Sequence, residues 1–391
     1  MDISNLNKIE LLEKCKELGI INCRSKSKLK LIELIKNIQK NTNVTINQII
    51  ELNHEYLENV CNDNQYTFID LFCGIGGFHK GLEDLSCVLA SDINKECRYT
   101  YEENYKIKPK GDIFDIKIEE IPNHNILCAG FPCQPFSSAG KKDGFADERS
   151  KVYEKLISII EYKQPNIIIL ENVKNLTIIE NGTIFEKIIN DLNKINYNVS
   201  FSILNVANFG LAQNRERLFI IGINKNFQNK YFCFNKLNLF KNNISLKDII
   251  DTSNKYYIDS SKYILLKNEQ ITLQKSGLMF CGYIKGNIRT NGALPNTEHL
   301  SRVHKQPNRI YHINGVNPTL SSSESSGRYY IYDGIGVRTL TINECYKIMG
   351  FDNFKLHEKK NCCYNQIGNS VCPFIIKNIK NELIKQQFIK L

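Results

Sequence analysis

The sequence has no apolar run approaching the roughly 18 residues that a membrane-spanning helix needs. It opens on MDISNLNKIELLEK, which is charged and amphipathic and lacks the apolar core of a leader. It also has no pair of CxxC elements to hold zinc, although it carries 14 cysteines. Scattered cysteines in a chain of 391 residues are read as reduced thiols in a cytosolic-type compartment, not as a disulfide scaffold. Membrane-embedded and disulfide-dense secreted classes are thereby set aside, and no metal is expected. What is present, 42% apolar and 24% charged residues, is ordinary for a soluble globular protein, and the length accommodates two or three domains. A net charge of +10 suits a polyanionic partner, and suits equally a plain lysine-rich solvated surface.

Residues 1–40 read as a helical pair. Leu6, Ile9, Leu12, Cys15 and Leu18 recur every third residue, Gly19 is a stop, and after a basic stretch (Arg24–Lys28) Leu29, Ile32, Ile35 and Ile38 share a face. The pattern resembles SAP-type DNA-binding modules and is equally that of a plain helical hairpin. Residues 41–65 are polar and Asn-rich, a connecting segment. From 66 to 222, short β-rich runs alternate with helical stretches: TFIDLF, CVLASDI, HNILCAG, NIIILEN, VSFSIL and RLFIIGI. Most are apolar on both faces, as buried parallel strands are, which predicts a Rossmann-like, doubly wound α/β sheet. Residues 223–337, rich in Asn, Gly, Tyr and Lys, predict a smaller and irregular domain. Helices return at TINECYKIMGF and CPFIIKNIKNELIKQQFIK, so 338–391 is expected to pack back on the first domain.

Ligands of such sheets bind beyond the carboxyl ends of the strands. There the chain reads Asp70-Leu71-Phe72-Cys73-Gly74-Ile75-Gly76-Gly77, a strand followed by a glycine turn that lets backbone approach a ligand. Asp92, with Ile93 after it, ends the next strand 18 residues beyond Gly74, where a carboxylate accepts bonds from ribose hydroxyls. Asp112, followed by Ile113, is placed to take an adenine amine; the bland reading is a surface turn. The third glycine falls two residues early for GxGxxG, which disfavours a nicotinamide cofactor.

Pro132-Cys133-Gln134-Pro135 carries the decision. A cysteine between two prolines lies in a rigid, non-helical turn, so its sulfur direction is fixed locally. A lone cysteine is most often a buried bystander; beside a cofactor turn this one is read as a nucleophile.

Five motifs, Phe68–Gly77, Gly130–Ser137, Glu171-Asn172-Val173, Gln213–Arg217 and Gln366–Val371, resemble in order and spacing the DNA cytosine-5 methyltransferase family. The resemblance covers about 66–391. It implies S-adenosylmethionine as cofactor and a target-recognition domain inserted between Arg217 and Arg338. It also implies a transient covalent bond from Cys133 to C6 of a flipped cytosine. On the family pattern Glu171 binds N3, which needs a raised pKa; Arg217 reaches O2, and Arg215 supports the loop or Cys133. Phe72, Gly74, Gly76, Gly77, Asp92, Ile93, Asp112, Ile113, Pro132, Asn369, Ser370 and Val371 form the cofactor side. Ser137 and the basic residues Arg289, Arg302, Lys305 and Arg309 are expected at DNA, against the alternative of a solvated basic loop. The family implies double-stranded DNA as partner, with a cognate restriction endonuclease acting on the same site, a solitary regulatory role and a viral setting all open; a monomer is expected, located in the cytoplasm (the bacterial nucleoid) or wherever the target DNA resides. Ser150 after Arg149 departs from the family's Arg-Gly pair. A tRNA-directed enzyme, an inactive DNA-binding relative and a dehydrogenase are the competing readings; the last does not account for Pro-Cys-Gln-Pro.

Overall fold

In a computed structural model of the chain, the described residues are 10–12, 27–32, 66–132, 148–240, 244–251, 253, 256–286, 297–323 and 330–390. The chain divides into two units, Met1–Asp63 and Asn64–Leu391. In the first, 10–12 and 28–32 are helical. Ser27 opens the second of these, its Oγ accepting from Lys30 N at 3.4 Å. Leu11 and Leu31 are fully buried, whereas Leu29 is 81% exposed. Leu31 thus takes the inward place expected of Leu29: in the first helical turn only one side faces the packing partner. The rest of the expected helical pair, and the segment 41–65, lie outside the described residues.

The second unit begins β1 (Thr67–Leu71), α1 (Gly77–Gly81), β2 (Ser86–Ser91), α2 (Lys95–Tyr105) and β3 (Ile126–Ala129). It continues α3 (Glu148–Lys163), β4 (Ile167–Val173), α4 (Thr183–Lys194), β5 (Tyr197–Asn205), β6 (Gln213–Asn214) and β7 (Glu216–Asn224). The main sheet has six strands in the order β2-β1-β3-β4-β7-β5. β1 pairs in parallel with β2 and β3, and β3 with β4. β7 departs from the parallel expectation: it runs antiparallel to both β4 and β5. The short 206–215 connection from β5 is too tight for a crossover helix, so the chain can only fold straight back.

Alternate residues of the central strands feed two cores. Phe68, Ile126, Ile167 and Ile169 face Ile375, Ile376 and Ile379, while Ile69, Leu127, Ile168 and Leu170 face Leu156, Ile160, Ile188 and Leu192. Both faces being covered, the strands read as continuous apolar runs. No helix among the described residues is long and apolar enough to cross a membrane, and every described cysteine is free.

Residues beyond β7 hold more order than their composition announces. β8 (Tyr263–Leu265), β9 (Phe280–Ile284), β10 (Arg309–His312), β12 (Tyr330–Tyr332) and β13 (Val337–Thr339) form a sheet ordered β13-β12-β10-β9-β8. Strands of three to five residues separated by Gly, Asn and Pro are too short to show a period. Between β10 and β12, β11 (Asn317–Pro318) pairs in parallel with β6. The chain ends in α5 (Ile342–Ile348), α6 (Lys360–Asn369) and α7 (Pro373–Lys385). α5 opens with a Thr341/Glu344 capping box, and α7 with proline at its first position. The α7 face meets α1, where an added Cβ at Gly81 would lie 2.5 Å from Ile376.

Candidate active site

β1 ends in a turn whose backbone is set by glycine. Gly74 and Gly76 have φ of 54° and 84°. At Gly76 an added Cβ would lie 2.3 Å from the Tyr105 ring, so a side chain is excluded by contact as well as by φ. At Gly77 it would lie 2.2 Å from the Val371 carbonyl oxygen, which places the turn after α6 directly against the start of α1.

Backbone hydrogen bonds knit this turn to those after β2 and before residue 114. Asp92 Oδ2 accepts from Gly74 N at 2.8 Å, and Oδ1 from Asn94 N at 2.8 Å. Ser91 Oγ donates to Gly111 O at 2.9 Å. Asp112 Oδ1 caps the next turn by accepting from Phe114 N at 3.0 Å. The result is a cleft of about 430 Å³ lined by Phe72, Asp92, Ile93, Asp112, Ile113 and Pro132. Its other walls are Ser91, Phe114, Lys151 and Val152. Ile93 is 73% exposed, an apolar face offered to the cleft. Burial raises the Asp92 carboxyl above its usual range, opposed by the N–H groups of Asn94 and Gly74 and the charge of Arg98. Asp70 is fully buried, and the His79 backbone N–H is the group that favours its charged form. Burial, and then the charge of Asp92, push its carboxyl well above the ordinary value.

A second group of polar side chains gathers where β4 and β7 meet. Glu171 pairs with Phe219 and Val173 with Arg217, which makes Arg217 the diagonal neighbour of Glu171 on one face. Arg217 Nε lies 3.2 Å from Glu171 Oε1, with side-chain exposures of 16% and 11%. Burial raises the Glu171 carboxyl, and the charges of Arg217 and then Arg215 pull it only partly back. Arg215 is 1% exposed; its Nη1 and Nη2 donate to Gly368 O at 3.1 Å, and Nη2 to Ser370 O at 2.8 Å. It therefore holds the 368–370 turn by its carbonyls. An added Cβ at Gly130 would stand 3.4 Å from Val371 and 3.7 Å from Glu171 Oε2, so the chain leading to Cys133 passes beside the acid. Asn172 Nδ2 fixes that passage by donating to Phe131 O at 2.9 Å. Cys133 and Ser137 themselves lie outside the described residues.

The structure thus has a cleft at the carboxyl ends of parallel strands and a buried acid–arginine pair where β4 and β7 meet. The profile of the family described as C-5 cytosine-specific DNA methylase matches residues 66–385. The chain belongs to that family. Its activity is methylation of DNA cytosine at C5, with S-adenosylmethionine as methyl donor. It is 33% identical to the Type II methyltransferase M.HhaI of Haemophilus parahaemolyticus, over 81% of this chain and 94% of that protein. It is 36% identical to M.HaeII of Haemophilus aegyptius, over 82% of this chain and 93% of that protein. The fold is similar to that of the Entamoeba histolytica methyltransferase EhMeth, with a TM-score of 0.59 and 21% identity over 83% of this chain and 99% of that one.

In this methylase six of the residues expected at the cofactor line one cleft; Gly74, Gly76 and Gly77 are not in its lining but form the turn after β1, tied to Asp92 through Gly74 N. Ser370 and Val371 are buried behind that turn, while Asn369 is exposed at the end of α6. Arg302 and Lys305 are exposed; Arg309 is half-buried and donates from Nε and Nη2 to His304 O at 3.1 and 2.9 Å. Arg289 lies outside the described residues. Sequence reasoning missed Phe114, Lys151 and Val152 in the cleft wall and Asn172 as a tether, although Asn172 stood in plain view beside Glu171. One trio among the described residues, Glu96, His357 and Cys362, has metal-ligand chemistry and is empty. His357 Nδ1 accepts from Lys359 N at 2.9 Å, which leaves the proton on Nε2, facing Glu96 at 3.0 Å. That is a hydrogen-bonded brace between α2 and the chain before α6.

Proposed function

We propose that the methylase acts on a cytosine flipped out of double-stranded DNA, with Cys133 as nucleophile, Glu171 at N3 and Arg217 at O2. The observation that carries this reading is the 3.2 Å Glu171–Arg217 pair beside Gly130, three residues before Cys133. The Cys133 thiolate forms a bond to C6, and its electron pair moves the ring's π density toward N3 and O2. Glu171, whose protonated form burial favours, donates at N3, and the Arg217 guanidinium donates at O2. C5 is thereby made electron-rich. Asn172 holds the Phe131 carbonyl and so the direction from which the nucleophile arrives. S-adenosylmethionine supplies, when bound, an electrophilic methyl on a sulfonium. A base, for which a bound water suffices, takes the C5 proton, Cys133 departs with its electron pair, and N3 returns its proton to Glu171, which restores the aromatic ring.

The donor set fits the cofactor. Asp92 offers carboxylate oxygens to ribose hydroxyls, Asp112 an oxygen to the adenine amine, and Ile93 with Phe72 apolar surface to the adenine ring. Residues 66–222 with 338–391 then form the catalytic domain. Residues 223–337 read the target, with Arg289, Arg302, Lys305 and Arg309 at DNA and Ser137 on the catalytic side. The SAP-like pattern of 1–40 supports an accessory DNA contact. The Type II relatives support a restriction–modification setting, with a cognate endonuclease cutting the same site and this chain acting as a monomer.

Incubating the full chain and S-adenosylmethionine with a duplex containing 5-fluorocytosine tests the reading, because fluorine at C5 blocks the last step and leaves the covalent adduct. A denaturant-stable complex is expected from wild type and none from Cys133→Ala, which keeps cofactor binding. Turnover by Cys133→Ala, or methylation of tRNA in preference to the duplex, would overturn it.

A further inference from the structure

Ile93 is largely exposed, so its place in the cleft is set by its backbone and not by packing around its side chain. That backbone is the Asp92-Ile93 turn between β2 and α2. Arg98, outside every motif considered above, acts on it: Nη1 donates to Asp92 O at 2.8 Å and to Ile93 O at 2.9 Å. One guanidinium nitrogen thus bridges the carbonyls of both residues. From the other side Gly74 N and Asn94 N hold the Asp92 carboxylate. Arg98 itself projects from a fixed base. Arg98 N donates to Asn94 O at 3.0 Å, and Gln366 Nε2 donates to Glu96 O and Thr100 Oγ1, each at 2.9 Å, bracing α2 against α6.

We propose that Arg98 is a positioning residue for the adenosine half of S-adenosylmethionine, holding the Asp92-Ile93 turn in its binding shape before the cofactor arrives. The proposal rests on the reading that the cleft takes the cofactor. Arg98 directs the donors of Nη1 to main chain, and through them it acts on Asp92 and Ile93. Without it two carbonyls turn to water and the turn must be ordered at binding, a cost that falls on cofactor affinity alone. Glu171, Arg217 and Asn172 lie on other elements and keep their geometry.

The test is calorimetric titration of the full chain with S-adenosylmethionine, together with steady-state rates at varied cofactor and varied duplex. Arg98→Ala is expected to raise Kd and KM for the cofactor about tenfold, with kcat at saturating cofactor and KM for DNA within about twofold of wild type. Arg98→Lys, which keeps a cationic donor, recovers part of the loss and serves where Arg98→Ala folds poorly. Unchanged cofactor affinity in Arg98→Ala, or a loss shared equally by kcat and both KM values, overturns the proposal. Phe72→Ala and Asp112→Ala separate the two claims. If they too leave cofactor affinity intact, the cleft reading fails; if they weaken it and Arg98→Ala does not, only the role of Arg98 falls.

Discussion

Arg217 Nε stands 3.2 Å from Glu171 Oε1, a cation beside an acid whose proposed task needs its proton. Burial raises the Glu171 carboxyl and Arg217 opposes the shift without cancelling it. The protonated form therefore persists to higher pH than in a solvated glutamate, and activity that depends on it is lost as pH rises through the raised pKa. Glu171→Gln is expected to cut kcat by about 10²–10⁴ and to flatten that limb of the profile, with cofactor binding intact by calorimetry. A kcat near wild type would refute the role.

Asn172 contributes one buried hydrogen bond to the chain leading to the nucleophile, Nδ2 to Phe131 O at 2.9 Å. Asn172→Ala leaves that carbonyl unpaired and frees the approach to Cys133. Loss of about 1–3 kcal/mol is expected to appear as a fall of roughly 10–100-fold in kcat, with KM for the cofactor unmoved. Steady-state rates check this; a change confined to the cofactor KM contradicts it.

The glycines of the turn differ in what forbids a side chain. At Gly77 a Cβ meets the Val371 carbonyl oxygen at 2.2 Å, a backbone atom that cannot swing aside. Gly77→Ala is expected to destabilise by about 1–3 kcal/mol. At Gly74 a Cβ meets nothing within 4 Å, so only its φ of 54° opposes a side chain. Gly74→Ala is expected to cost about 1 kcal/mol. Denaturant unfolding of both variants measures the order; a reversed order would discredit the contact.

Arg338 and Glu344 form a buried pair joining β13 to α5, with Nη2 to Oε1 at 2.8 Å and exposures of 1% and 2%. Glu344 also accepts from Asp251 N at 2.9 Å and Thr341 N at 2.7 Å. Arg338→Met strands the carboxylate and is expected to cost about 3–5 kcal/mol in thermal or denaturant unfolding. Despite burial, hydrogen bonding and charge from Arg338, with help from backbone N–H groups, hold the Glu344 carboxyl below its ordinary value. Its contribution is therefore full above the unfolded pKa and is lost as pH falls through the lowered one. In Arg338→Met that acid-side loss should shrink; an unaltered acid dependence would show the pair contributes nothing.

How much was legible depended on the range of the interaction. Phe72, Asp92 and Ile93 follow strand ends, and Asp112 and Ile113 sit in the turn between α2 and β3, so apolar runs, glycine placement and the order of motifs suffice to find them. Arg98 was illegible because its partners are carbonyls, which carry no residue signature. Asn172 was legible as a letter and illegible as a tether, since its acceptor lies in the segment after β3, 41 residues away along the chain. Arg309 reads as a free cation in a basic run, yet spends two donors on the His304 carbonyl.

By itself the sequence determined what is local: runs apolar on both faces that make buried strands, glycines that permit left-handed turns, and the order of motifs that marks the family. Only the tertiary structure decided the reversed direction of β7, the sheet of short strands beyond it, the Glu171–Arg217 pair and the partners of Arg215 and Arg98. The physical reason is that charge pairing and burial depend on what another element brings within a few ångströms. That proximity is set by packing across the whole core and leaves no periodic trace along the chain.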